Sequence, residues 1–113
     1  MAIATFVHEG RYIDYTPSSD VSAGDVIVQS DLVGIATKDI AADTLGELAI
    51  AGVFDIDKAT GGGDAIAAGA LVYWDSSADV ADDDSDTGTN KLIGKAVKAA
   101  ADADATVRVA VLQ

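Results

Sequence analysis

The feature that most constrains the fold of this chain is an internal repeat. Residues 21–28 and 66–73 share one pattern, an apolar residue, an Ala-Gly pair and three strand-forming residues, at an offset of 45. Two further pairs of segments correspond at offsets of 60 and 59, residues 32–36 with 92–96 and residues 47–51 with 106–110. Two such strand units can bury against each other the faces that neither unit buries alone.

The residue types in these segments favour strands over helices. Val and Ile together number 21 against six Leu, and β-branched side chains fit a pleated sheet. In residues 106–112, Val107, Val109 and Val111 alternate with other residues at the period of two expected for a half-buried strand. Alanine alone would favour a helix over residues 95–105, but the corresponding residues 35–44 are a poor helix candidate. We therefore predict an all-β domain, a small β-barrel or β-sandwich with an internal two-fold repeat.

The change of offset from 45 to 60 locates an insertion of about 15 residues in the second unit, in residues 75–90. This segment is predicted to be an acidic loop, since six of its residues are Asp and like charges repel. Asp82, Asp84 and Asp86 are weak candidates for a calcium site. The calcium-loop template requires Gly at position 6 and Glu at position 12, where a count from Asp82 finds Thr87 and Ile93.

Four glycines are predicted to have structural roles. Gly24 and Gly69 precede strands, where a turn with positive φ is expected. Gly34 and Gly94 lie within strand patterns, which indicates a bulge or the close approach of another backbone.

Residues 1–17 are predicted to form an extended amino-terminal arm or edge strand, and residues 18–113 a single β domain. The arm is either the first strand of the core or a segment that docks on a neighbouring molecule. Tyr73 and Trp74 are adjacent, so in a strand only one of them faces the core, and the other meets a partner, a loop or solvent. The candidate residues for contact with a shell or another subunit are Phe6, His8, Tyr12, Tyr15 and Trp74.

The charge and the reactive residues exclude several classes of function. The net charge of −12 disfavours nucleic acid and anionic membranes as partners. The chain has no Cys and one His, so it lacks the side chains that thiol catalysis, zinc binding or a Ser-His triad would require. The longest apolar runs are far too short to span a bilayer. We expect no cofactor, no small-molecule substrate and no catalytic residues.

Several motifs, taken in order, resemble the short tailed-phage proteins grouped as capsid cement or decoration proteins. The resemblance spans nearly the whole chain. The sequence departs from the family pattern at Ala70, where the first unit has Asp25, and in the acidic insertion. The motifs are Tyr12-Ile-Asp-Tyr-Thr-Pro17, Ala23-Gly-Asp-Val-Ile-Val28, Leu32-Val-Gly-Ile-Ala36, the run from Leu45 to Phe54, Lys58, Ala68-Gly69, Val72-Tyr-Trp-Asp75, Leu92-Ile-Gly94 and Val107-Arg-Val109.

This resemblance implies a β-rich, tulip-like fold and a structural, non-enzymatic virion protein. Such a protein is made in the bacterial host cytoplasm, binds the major capsid protein as a homotrimer on the outside of the expanded head, and stabilises it. The acidic composition is compatible with an outer surface that stays soluble. Two alternatives remain open from the residues alone: a soluble β module that binds calcium or glycan through residues 75–90, and a small hydrolase that uses paired Asp side chains.

Overall fold

The computed structural model describes residues 3–113, and within them the chain is all-β. The one helical element in this range is a 3-10 turn at Asp86–Gly88, and no helix in it is long and apolar enough to cross a membrane. The strands are β1 (Tyr12–Tyr15), β2 (Val26–Gln29), β3 (Leu32–Ala36), β4 (Gly46–Ala49), β5 (Ala51–Asp57), β6 (Leu71–Asp75), β7 (Val80–Asp82), β8 (Lys91–Ala96) and β9 (Thr106–Leu112).

The strands form two antiparallel sheets. The four-stranded sheet has the order β1-β4-β3-β2, and the five-stranded sheet has the order β5-β9-β8-β6-β7. The chain passes from one sheet to the other through Ile50, which alone separates β4 from β5. The amide of Ile50 donates a hydrogen bond of 2.9 Å to the carbonyl of Arg11, and its carbonyl accepts one of 3.1 Å from the amide of Gln113.

Of the two predicted architectures, a β-barrel or a β-sandwich, the barrel is wrong, because hydrogen bonding does not run continuously around the domain. The two edges of the five-stranded sheet, β5 and β7, approach each other but meet at one isolated bridge, between Lys58 and Ala81. The four-stranded sheet packs on the five-stranded sheet without joining its edge strands. The domain therefore consists of two packed sheets, the second of which is strongly curled.

The main core lies between the two sheets and is made of β-branched residues. In β9, Val107, Val109 and Val111 are buried while the residues between them are more exposed, so the predicted period of two is confirmed. Val33 and Ile35 of β3 meet this core from the other sheet. Its remaining buried members are Ile56, Ile66, Val72, Trp74, Ala81, Ile93, Ala96 and Ala100.

A second, smaller apolar cluster covers the opposite face of the four-stranded sheet. Leu48 and Ala36 are fully buried there, and Val21 and Ile40 close over them from the flanking turns. Alternate residues of β2 and β3 thus face different clusters, as the pleat of a strand requires. β2 and β3 are consequently apolar on both faces, which explains why their sequences are nearly continuous apolar runs.

Side chains also join the sheets directly. The side-chain amide of Gln113 accepts a hydrogen bond of 3.0 Å from the amide of Val33 through Oε1, and donates from Nε2 to the carbonyls of Leu92 and Ile93 at 3.0 and 2.8 Å. These bonds connect β3 of the four-stranded sheet to β8 of the five-stranded sheet.

The two sheets have corresponding strand orders. The order β1-β4-β3-β2 in the first sheet matches β5-β9-β8-β6 in the second, and β7 is the additional strand. Equivalent backbone hydrogen bonds begin both units: Gly24 donates to Ala36, and Gly69 donates to Ala96, each at 2.7 Å. Equivalent isolated bridges also occur, Val21–Ile40 and Ile66–Ala100.

The acidic segment, residues 75–90, is more ordered than a loop, so this part of the sequence interpretation is corrected. β7 pairs antiparallel with β6, and Ala81 packs in the main core. The side chain of Asn90 is buried and donates a hydrogen bond of 3.0 Å to the carbonyl of Asp84. The many Asp residues of this segment favoured a loop, and two apolar residues, Val80 and Ala81, were too few to predict strand β7.

Candidate functional site

The amino-terminal arm, residues 3–11, carries apolar side chains that the rest of the domain does not cover. It contains no strand, and the side chains of Phe6 and Val7 are 79% and 82% exposed. Residues 3–11 therefore present apolar side chains to solvent, as a segment that docks on another molecule would. Met1 and Ala2, part of the predicted arm, lie outside the described residues.

The arm leads directly into an edge strand. β1 pairs with β4 on one side, and no strand among residues 3–113 pairs with its other side. Tyr12 and Asp14 face outward, whereas Ile13 and Tyr15 are partly buried and pack against the smaller core cluster. Of the two candidate contact tyrosines, Tyr12 is accessible and Tyr15 mainly holds β1 on the sheet. His8 is exposed, and its Nδ1 donates to the carbonyl of Glu9.

Trp74, one of the predicted contact residues, is buried and is not accessible to a partner. Its side chain is 8% exposed and belongs to the main core. Tyr73 lies on the opposite face of β6 and is half-buried. The prediction that only one of this pair faces the core is therefore met, but the residue that remains available to a partner is Tyr73.

Two apolar side chains, Val53 and Leu112, are exposed on the outward face of the five-stranded sheet, which sequence reasoning missed. Val53 and Leu112 are 60% and 75% exposed on β5 and β9. Val53 stands opposite Ala110, and Ala110 stands opposite Lys95 of β8. The signal was present in the sequence, because Leu112 falls on the outward phase of the β9 alternation, opposite to that of Val107 and Val109.

One ion pair lies on this outward face. Arg108 donates from Nε to Oδ1 of Asp55 at 2.9 Å and from its terminal nitrogen to Oδ2 at 3.2 Å. The hydrogen bonds from Arg108 lower the pKa of the Asp55 carboxyl below its ordinary value, and Asp55 in turn raises the pKa of Arg108. Both side chains are about half exposed, so the pair orients the strands more than it stabilises them.

A buried lysine is the least expected polar group in the domain. Lys58 is 4% exposed, and the three N–H groups of its ammonium are within hydrogen-bond distance of four backbone carbonyl oxygens. The acceptors are Ala59 at 2.7 Å, Ala101 at 3.0 Å, Asp102 at 3.2 Å and Asp104 at 3.0 Å. The ammonium therefore holds the turn before β9 against the end of β5, and its role is structural.

Two of the three candidate calcium ligands, Asp82 and Asp84, accept hydrogen bonds from backbone amides of the acidic segment through their carboxylates. Asp82 accepts from the amide of Asp83 at 2.7 Å, and Asp84 accepts from the amide of Asp86 at 2.9 Å. Among residues 3–113, no three His, Asp or Glu side chains gather in a group that could hold a metal ion. Partial burial raises the pKa of the Asp82 carboxyl, whereas the hydroxyl of Ser77 lowers the pKa of Asp75.

The four glycines singled out in the sequence differ in their surroundings. Gly24 and Gly69 have φ of +92° and +82°. A Cβ at Gly34 would lie 2.8 Å from Cβ of Leu48, and one at Gly94 would overlap the carbonyl oxygen of Ala110. The pairing of β6 with β8 also changes register between Val72 and Tyr73, beside Gly94.

Comparison with known proteins identifies a family. The model of the phage cement protein family matches residues 7–111, nearly the whole chain. No curated protein and no solved structure matches. The matched range includes the end of the arm, the edge strand and both sheets described above. The chain therefore belongs to the phage cement protein family, whose role is structural and associated with the capsid.

Proposed function

We propose that this protein binds the outside of the expanded phage head, against the major capsid protein, and stabilises it without catalysing a reaction. The single observation that carries the proposal is the family match over residues 7–111. The geometry supports it, because a small rigid body with an exposed apolar arm is suited to bridging shell subunits. The protein would be made in the host cytoplasm and reach the virion by docking on assembled heads.

The physical mechanism is linkage between binding and shell stability. A ligand that binds the expanded shell and not its dissociated subunits stabilises that shell by mass action. Many copies on one lattice, each able to touch more than one subunit, strengthen attachment beyond the affinity of one contact. A homotrimer would multiply these contacts further. The net charge of −12 would keep decorated heads soluble and apart.

The arm and the edge strand β1 provide the proposed contact with the shell. The unpaired edge of β1 can accept a further strand, and exposed apolar side chains such as Phe6 and Val7 supply burial when they are covered. Tyr12 lies at the junction of arm and strand and is exposed on the same sheet edge.

Co-sedimentation with undecorated expanded heads tests this proposal. We compare the full chain, a variant that lacks residues 1–10, and the control Leu45→Ala, which removes an exposed apolar side chain far from the arm in sequence. We expect the full chain and the control to sediment with heads and the truncated variant to bind at least about tenfold more weakly, since it loses the apolar contacts of the arm. Undiminished binding by the truncated variant would remove the arm from the proposal, and absence of binding by the full chain would refute the function.

A further inference from the structure

Most exposed apolar side chains of the domain lie on one surface, the outward face of the five-stranded sheet. Among residues 12–113, seven large apolar side chains are exposed, and two of them, Tyr12 and Leu45, lie elsewhere. Each of the other five is adjacent in sequence to a residue that packs in or against the main core, so it points away from that core. Single exposed apolar residues are ordinary, but a group on one face is typical of a docking surface. The five are Val53, Leu71, Leu92, Val97 and Leu112.

The strand register brings these side chains together in rows. Lys95 of β8 lies between Leu71 of β6 and Ala110 of β9, and Ala110 is in turn opposite Val53 of β5. This row crosses three strand spacings, or about 14 Å, and opposed side chains in it have Cβ atoms about 5 Å apart. Together with the next row along the strands it forms a surface that we call the outer patch: Val53, Leu71, Leu92, Lys95, Ala110 and Leu112.

Lys95 is an exposed cation in the middle of the outer patch, with apolar residues opposite it on both neighbouring strands. The salt bridges among residues 3–113 join Lys91 to Asp31 and Arg108 to Asp55, so Lys95 has no carboxylate partner in that range. This is unexpected in a chain with 19 Asp and Glu. The carboxylates on the outward side of these strands lie outside the patch: Asp55, Asp57, Asp75 and Asp82.

The arm leaves the domain beside the outer patch. The carbonyl of Arg11 accepts a hydrogen bond from the amide of Ile50, and the carbonyl of Ile50 accepts one from the amide of Gln113. The end of the arm is therefore about two strand spacings, or roughly 10 Å, from the end of β9 that carries Leu112. A molecule that covers the arm thus reaches the outer patch as well, and the two surfaces are continuous.

We propose that the outer patch docks on the phage shell beside the arm, against a surface of the major capsid protein that presents a carboxylate among apolar side chains. The inference rests on the proposed function and adds the chemistry of the partner surface. Lys95 binds the carboxylate and sets the orientation, while burial of the surrounding apolar side chains supplies the affinity. Face-to-face packing of two copies would bring two unpaired Lys95 ammonium groups together, so charge disfavours a second copy as the occupant.

Zero-length cross-linking on undecorated expanded heads tests the occupant directly. A carbodiimide joins a Lys amine to a carboxylate in contact with it, forming an amide with loss of water, and mass spectrometry of the digest identifies both residues. Lys91 and Asp31, 2.9 Å apart, are the positive control within each chain. Lys38, an exposed lysine outside the patch, is the negative control.

We expect Lys95 to cross-link to an Asp or Glu of the major capsid protein and Lys38 to give no such product. A Lys95 cross-link to another copy of this chain alone would assign the patch to a second copy and overturn the proposal. Absence of any Lys95 product on saturated heads, with the Lys91 to Asp31 product present, would also overturn it.

Co-sedimentation of charge variants with heads provides a second measurement. Lys95→Glu and Lys38→Glu change the net charge equally, so a difference between them reports the position of the charge. Lys95→Glu should weaken binding at least about tenfold and Lys38→Glu less than about twofold. Equal binding by the two variants would contradict a carboxylate contact at Lys95.

A matched apolar pair tests the rest of the patch. Leu112 and Leu45 are 75% and 71% exposed, so replacing either by Ser should leave the fold intact, as circular dichroism checks. Leu112→Ser should weaken head binding about fivefold and Leu45→Ser less than about twofold. Equal weakening by the two would remove Leu112 from the contact and overturn the patch.

The two proposals fail in distinguishable ways. If the native chain does not sediment with heads, the proposed function is refuted, and the docking surface with it. If the native chain binds and every patch variant binds equally well, the outer patch alone is refuted and the arm remains the contact with the shell.

Discussion

The ammonium of Lys58 lies 3.0 Å from the backbone carbonyl oxygen of Asp104 and donates a hydrogen bond to it. With three further carbonyl acceptors, this contact joins β5 to the turn that precedes β9. A buried charge is costly unless it is fully hydrogen-bonded, and here the backbone supplies the acceptors in place of a carboxylate.

Replacement of Lys58 by Met should lower the free energy of unfolding by roughly 3 kcal/mol, since several buried carbonyls lose their charged donor. The matched control is Lys38→Met, at an exposed lysine, which should change stability by less than about 0.5 kcal/mol. Urea denaturation followed by Trp74 fluorescence measures both. Equal stability of the two variants would contradict the structural role of Lys58.

Replacement of Gly94 by Ala should prevent stable folding or lower the free energy of unfolding by more than about 4 kcal/mol. The added Cβ would overlap the carbonyl oxygen of Ala110, and that oxygen is backbone on the paired strand β9, which has little freedom to move. The control Gly62→Ala adds a Cβ into open space and should be neutral or stabilising by about 0.5 kcal/mol. Thermal denaturation compares the two, and a Gly94→Ala protein as stable as the native chain would show the β8–β9 packing to be wrong.

Replacement of Asp82 by Asn should stabilise the protein at neutral pH. Burial raises the pKa of Asp82 above its ordinary value of 3.8, so the folded state favours the protonated carboxyl. The protonated carboxyl contributes to the stability of the fold at low pH, and this contribution is lost as the pH rises through the pKa that Asp82 has in the folded state. Asn keeps an oxygen that accepts from the amide of Asp83 and carries no charge. The melting temperature of the variant should therefore exceed that of the native chain at pH 7, and the two melting temperatures should be equal below pH 3.8.

The exposed Asp79→Asn variant is the control for this effect, because Asp79 lies in the same hairpin with its side chain accessible. A gain of similar size from Asp79→Asn would assign the effect to the net charge of the segment and not to the burial of Asp82.

The sequence was sufficient to predict the strands that alternate with a clear period. β9 follows directly from Val107, Val109 and Val111, because a period of two with one buried face has few other structural solutions. Residues 97–105 follow β8 as turns and bridges, although their alanines favour a helix in isolation. Here the tertiary context outweighed the intrinsic propensity of the segment.

The features that were missed depend on contacts between segments far apart in sequence. The buried state of Lys58 requires carbonyls more than 40 residues away, which no local pattern predicts. The choice between a barrel and two sheets depends on whether β5 and β7 pair fully, and they meet at one bridge. Trp74 could be assigned to the core or to a contact only once the direction of β6 relative to the main core was known.

The most direct test of the cement function is the thermal stability of expanded heads with and without this protein. Undecorated heads are heated with increasing amounts of the purified chain, and shell disruption is followed by light scattering and electron microscopy. If the protein stabilises the shell, the disruption temperature rises with protein concentration and reaches a plateau when the binding sites are full, as mass action requires. A disruption temperature unchanged at saturating protein, with copies visible on the shell, would contradict the stabilising role.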